Sequence, residues 1–135
     1  MKKTRVLIGI LGLDQHEVGA LSVAQMLRNA SMEVVYAGRF NTPLKLVQAA
    51  IEEDVDVIGI SCHSWEFIHY MPELIELLKK EGGADIAVVV GGSVITPADA
   101  RELKAMGVSA VFGPGAAKDD IISTIAELGL KKQLT

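Results

Sequence analysis

Five short apolar runs rich in β-branched residues alternate with five longer amphipathic stretches, and this alternation constrains the fold most. The runs are Arg5–Ile10, Glu33–Tyr36, Asp56–Ile60, Ile86–Val90 and Ala110–Phe112. Between and after them lie Gly19–Asn29, Pro43–Glu53, Trp65–Glu81, Pro97–Met106 and Ala117–Leu128, where apolar residues recur at helical spacing. Pro43 and Pro97 each follow a threonine able to cap, Thr42 and Thr96, so both prolines fall in a first helical turn. Gly107 and Gly129 read as C-terminal caps. A β-α-β-α order with short links gives a parallel sheet with helices on both faces. Hydrophobic residues make up 50% of the 135-residue chain, as a sheet buried on both sides requires. The expectation is α/β: a flavodoxin-like (Rossmann-like), doubly wound, five-stranded parallel sheet of order 2-1-3-4-5, with residues 1–135 as one domain.

Composition narrows the partners. With 13 basic and 17 acidic side chains and no long run of either sign, nothing favours nucleic acid or an anionic membrane. The first apolar run is too short to span a bilayer and lacks a signal-peptide cleavage site. One cysteine cannot form an internal disulfide, so a reducing compartment fits, and a cytoplasmic location is expected.

In open α/β sheets ligands bind beyond the carboxyl ends of the strands, where the strand order reverses. For this order the point lies between the first and third strands, so Leu11–Gly19 and Ser61–Ser64 are the loops of interest, with Gly91–Thr96 beside them. Several common ligands of such folds are disfavoured there. Gly9-Ile10-Leu11-Gly12 lacks the spacing of a dinucleotide loop, and Asp14 and Glu17 put negative charge where a phosphate would sit. No Gly-Lys pair exists for a P-loop, and Leu13–Gly19 is not the hydroxyl-rich loop a flavin mononucleotide wants. A receiver domain needs an aspartate at the end of the third strand, where this chain has Ser61-Cys62-His63.

Leu13-Asp14-Gln15-His16-Glu17-Val18-Gly19 places an imidazole at the switch point. A neutral histidine nitrogen is a good ligand for borderline transition metals, cobalt included, and such a histidine usually donates its other N–H to a carboxylate or carbonyl. Asp14 is a candidate for that role. The same residues also suit an ordinary βα loop, with Asp14 capping the helix and His16 solvated. Two further features fall at the same end of the sheet. Ser61 offers a hydroxyl after the third strand, and Gly91-Gly92 removes side chains after the fourth, where a flat group would lie against backbone.

Taken together, D-x-H-x-x-G, the serine after the third strand and the paired glycines resemble the cobalamin-binding domain family over nearly the whole chain. The resemblance implies base-off binding, with His16 as lower axial cobalt ligand and Asp14 as its hydrogen-bond partner. It puts Gln15, Gly19, Ser61, His63, Gly91 and Gly92 around the cofactor, the displaced dimethylbenzimidazole tail passing Ser61 and lying against the two glycines. Arg5-Val6-Leu7, Gly12-Leu13-Asp14, Thr42-Pro43, Asp54-Val55-Asp56-Val57, Val90-Gly91-Gly92, Gly107-Val108 and Phe112-Gly113-Pro114-Gly115 are most similar to the small, cobalamin-binding subunit or domain of acyl-CoA mutases of the methylmalonyl-CoA and 2-hydroxyisobutyryl-CoA type. That resemblance implies adenosylcobalamin, an isomerase inactive alone, and a larger barrel-type subunit that binds acyl-CoA and caps the cofactor. No catalytic base for a substrate is visible in this chain.

Three positions depart from the family pattern. Ile10 stands where such mutases carry a lysine before the Asp-His pair. His63 replaces the leucine of the second motif, and the first motif reads Asp-Gln-His-Glu-Val-Gly. Without the lysine, Asp14 is a fuller negative charge and a stronger acceptor for His16. A corrinoid carrier for methyl transfer and a non-catalytic cobalamin sensor or storage module share the fold and remain alternatives. A zinc site from His16, Cys62 and His63 lacks any CxxC or HxxxH spacing. Trp65 is expected either to pack on the sheet with Phe67 and Tyr70 or to wall the pocket or meet a partner.

Overall fold

Strand β1 (Arg5–Leu11) is buried from Val6 onward, and its side chains serve two separate cores. In the computed structural model, which describes residues 2–12, 16–62, 64–65 and 67–134, Val6, Ile8 and Ile10 pack with helices α1 (Val18–Asn29) and α5 (Lys118–Gln133). Leu7 and Leu11 face the opposite core, built with α2 (Pro43–Glu52), α3 (Phe67–Lys80) and α4 (Pro97–Ala105). The remaining strands are β2 (Glu33–Asn41), β3 (Val57–Ser61), β4 (Ala87–Gly91) and β5 (Ala110–Phe112). All pair in parallel, in the order β2-β1-β3-β4-β5. The expected doubly wound, flavodoxin-like sheet is what forms.

The threonine caps hold as well. Thr42 accepts from the Lys45 amide at 3.1 Å, and Thr96 forms a reciprocal capping box with Asp99. At the amino ends of the strands, buried Asp56 accepts from the Arg5 amide at 2.9 Å and from Gln133 Nε2 at 3.1 Å, and lies 3.6 Å from Lys132 Nζ. This carboxylate ties the last turn of α5 to the start of β1.

Three of the boundaries that differ from the sequence reading have clear physical reasons. β2 continues to Asn41, because register shifts opposite Ile8–Gly9 and Gly9–Leu11 let the strand bulge and resume pairing. Gly38 (φ 76°) and Phe40 (φ 62°) make the bend, and the buried Asn41 amide fastens it by donating to the carbonyls of Gly38 at 2.8 Å and Ile10 at 3.1 Å. α5 runs through Gly129, which is not a cap: a Cβ there would collide with the Thr4 side chain. α3 starts at Phe67, leaving Trp65 in the preceding loop at 66% exposure, so Trp65 does not pack on the sheet.

Candidate functional site

A cavity of ≈ 260 Å³ lies between the carboxyl ends of the strands and helices α1 and α5. Its walls come from both layers: Ile8, Val89 and Phe112 from the sheet, Val23, Ile121 and Ile125 from the helices. The mouth is lined by Gly19, Ser61, Gly91, Gly92 and Ser93, and by Gly113–Ala116 after β5. An apolar slot with small residues at its lip suits a flat, weakly polar group held edge-on between sheet and helix. Its volume falls just short of the roughly 300–1,000 Å³ of pockets for whole drug-sized molecules, so it suits part of a larger ligand.

The glycines at the lip do different work. A Cβ on Gly91 would make only ordinary contact with Phe112, at 3.6 Å from its carbonyl oxygen and 3.7 Å from its Cβ. A Cβ on Gly92 would collide with the backbone carbonyl of Cys62. The β3 and β4 ends are drawn together by the Cys62 amide donating to the Gly91 carbonyl at 2.8 Å, and β5 joins through the Gly92 amide to Phe112 at 3.1 Å. Gly92 therefore packs tightly against the end of β3, and Gly91 borders the open slot.

His16 is exposed at this same end, between β1 and α1. Glu17, next to it, is the residue before α1 but makes no side-chain cap bond to the helix. It turns instead to β2, where Tyr36 Oη donates to Glu17 Oε2 at 2.6 Å and Arg39 Nε lies 3.7 Å from Glu17 Oε1. Burial, then the hydrogen bond and negative charge of Glu17, push the Tyr36 hydroxyl up to about 12, so it stays protonated as a donor.

Of the residues singled out by sequence, Gly19, Ser61, Gly91 and Gly92 meet around one slot, with His16 at the same end of the sheet. Asp14, Gln15 and His63 lie outside the described residues. Gly19 sits inside the first turn of α1 and lines the slot. Among the described residues, no group of three or more His, Cys, Asp or Glu side chains could hold a metal ion, and no helix is long and apolar enough to cross a membrane. A single axial ligand to a prosthetic group needs no such cluster. Sequence reasoning missed Tyr36, Arg39 and the β5–α5 wall. The run Phe112-Gly113-Pro114-Gly115, a turn after a strand at the same sheet end, was the available signal for the wall.

Fold and slot together define a flavodoxin-like domain with an apolar slot at its switch point. Residues 4–122 match the B12 binding domain family, and the chain belongs to that family. It is 43% identical over 129 residues to the pivalyl-CoA mutase small subunit of Xanthobacter autotrophicus, covering 96% of this chain and 86% of the relative. Against the 2-hydroxyisobutanoyl-CoA mutase small subunit of Aquincola tertiaricarbonis it is 39% identical, covering 94% and 96% respectively. The methylmalonyl-CoA mutase of Escherichia coli is 37% identical over 94% of this chain, which spans only 18% of that longer protein. Among solved structures, a cobalamin-binding protein from Desulfitobacterium hafniense superposes with a TM-score of 0.80 at 18% identity, covering 94% of this chain and 59% of that one. The NarL receiver domain of Mycobacterium tuberculosis superposes at 0.71 with 13% identity, covering 96% and 98%. The fold alone thus does not choose between ligands, and the family match does.

Proposed function

We propose that this chain is the cobalamin-binding small subunit of an adenosylcobalamin-dependent acyl-CoA mutase, holding its cofactor base-off with His16 as lower axial ligand. The observation that carries the reading is the glycine-lipped slot between the strand ends and α1/α5, at the same end of the sheet as His16. The slot fits a displaced dimethylbenzimidazole: it is apolar inside, open where Gly91 lacks a side chain, and bordered by the Ser61 hydroxyl. Asp14 is the proposed acceptor for the second N–H of His16, and Gln15 and His63 flank the corrin. When bound, the cofactor supplies homolytic cobalt–carbon cleavage. The chain's own residues bind and orient it; among the described residues, none is placed to act on a substrate.

The 43% and 39% identity to two mutase small subunits favours this reading over a methyl carrier or a sensor. An acyl-CoA-binding chain of barrel type is the proposed partner, capping the upper face and excluding water, with both chains in the cytoplasm. Cofactor held between two chains couples their association reciprocally. The test is sedimentation of this chain with a large acyl-CoA mutase subunit, with and without adenosylcobalamin, followed by a turnover assay. Complex formation strengthened by the cofactor, with isomerisation only in the mixture, is expected. Tight cobalamin binding with no association under either condition would favour the carrier or sensor instead.

A further inference from the structure

The segment that carries His16 is fastened to β2 on both sides. Before it, the Gly12 amide donates to the Asn41 carbonyl at 2.9 Å. After it, both carboxylate oxygens of Glu17 are engaged from β2, by Tyr36 Oη at 2.6 Å and Arg39 Nε at 3.7 Å. A carboxylate at the start of a helix ordinarily gains by accepting from the first-turn amides. Glu17 forgoes that bond and cross-links the loop to a neighbouring strand instead.

The strand is shaped for this. Tyr36 is the last β2 residue before the register shift, paired with Ile8, and packs with the α1-side core. The bulge beyond it brings Arg39 back toward Glu17, with the guanidinium 5.1 Å from the centre of the Phe40 ring. Phe40 holds a left-handed backbone (φ 62°) while 49% exposed, a strained conformation that packing of its own side chain does not explain.

Resting on the reading of His16 as cobalt ligand, we infer that β2 is the clamp of the His16 loop. Tyr36 is its positioning residue, acting through Glu17 to set where the imidazole stands. The clamp makes histidine ligation cheaper in ordering entropy, because Glu17, next to His16, is already held before the cofactor arrives.

The experiment is a double-variant cycle of Tyr36→Phe with His16→Ala, on the full chain loaded with cob(II)alamin. It reads the cofactor release rate and the fraction of cobalt carrying histidine-nitrogen hyperfine splitting. Tyr36→Phe is expected to lower the histidine-ligated fraction and speed release by about 10-fold, the scale found for groups that orient a metal ligand. In the His16→Ala background the same substitution is expected to change release little, whereas a merely structural role would speed it equally in both. Glu17→Gln, which keeps an acceptor for Tyr36 but loses the charge facing Arg39, is the second variant should Tyr36→Phe unfold. Its expected effect is smaller but in the same direction, and likewise absent without His16. Unchanged splitting and release in Tyr36→Phe, or an equal effect in both backgrounds, overturns the clamp. A His16→Ala protein that keeps its histidine splitting contradicts the ligand assignment itself.

Discussion

Gly92 and Cys62 approach so closely that a Cβ on Gly92 would fall within the Cys62 backbone carbonyl. The two residues follow neighbouring strands, and their contact joins the ends of β3 and β4 where the slot begins. The second glycine of the pair is thus required by the protein's own backbone, although both glycines line the slot.

Substitutions at the pair should therefore separate. Gly92→Ala has no escape except backbone movement, and is expected to destabilise the fold by about 3 kcal/mol or more, with complete cobalamin and cobinamide lost together. Gly91→Leu should cost the fold only about 1 kcal/mol, because its Cβ meets ordinary contacts. The longer side chain crowds the slot, and overpacking of about 1–3 kcal/mol corresponds to roughly 10- to 100-fold weaker binding of complete cobalamin. Cobinamide, which lacks the nucleotide tail, should bind Gly91→Leu nearly as before. Isothermal titration with both corrinoids and urea unfolding of both variants make the check.

Asp56 is the stability element farthest from this chemistry. It is 2% exposed and joins Arg5, Lys132 and Gln133 at the opposite end of the strands. Asp56→Ala removes a buried carboxylate that ties Arg5, Lys132 and Gln133 together, and should cost about 3 kcal/mol or more in urea unfolding. Cobalamin affinity of the folded variant should stay unchanged. A large affinity loss without loss of stability would contradict the separation of the two ends.

Much of this could be read from the chain itself, and what could not has definite causes. β1, β3 and β4 are β-branched runs buried on both faces, a pattern with little competition, and Thr42 and Thr96 each precede a proline that fits a first turn. The switch-point rule then brought Ser61, Gly91 and Gly92 to one place from topology alone. The tail of β2 stayed hidden because its two register shifts break the period of two on which strand reading depends. The Tyr36–Glu17–Arg39 contacts stayed hidden with it, since they exist only once the bulge has formed. Gly129 looked like a helix terminus because a glycine required by another segment, here Thr4, leaves no local signature. Of the readings open for Trp65, packing on the sheet fails, because it lies ahead of the helix and is 66% exposed.

The Tyr36–Glu17 bond makes a prediction about pH. Burial first, then the Glu17 hydrogen bond and charge, raise the Tyr36 hydroxyl from 10.0 to about 12. The folded chain holds this proton more tightly than the unfolded one, so the associated stability is complete below pH 10 and disappears as pH approaches 12. Phenolate absorbance of the folded protein should show a tyrosine that ionises near 12 and is missing in Tyr36→Phe. The variant should also lose less stability than the unaltered protein across that window. Tyr36 ionising near 10.0 would mean that its bond to Glu17 does not persist in solution.

The central claim is that His16 binds cobalt from below in a cofactor whose own base has been displaced. The direct measurement is electron paramagnetic resonance of the chain loaded with cob(II)alamin, in protein grown with ring-labelled nitrogen-15 histidine. The predicted spectrum changes its superhyperfine pattern from the three lines of nitrogen-14 to the two of nitrogen-15. In His16→Ala the labelled-histidine signal is predicted to vanish. A spectrum indifferent to the histidine label, showing the cofactor's own benzimidazole still on cobalt, would contradict the account.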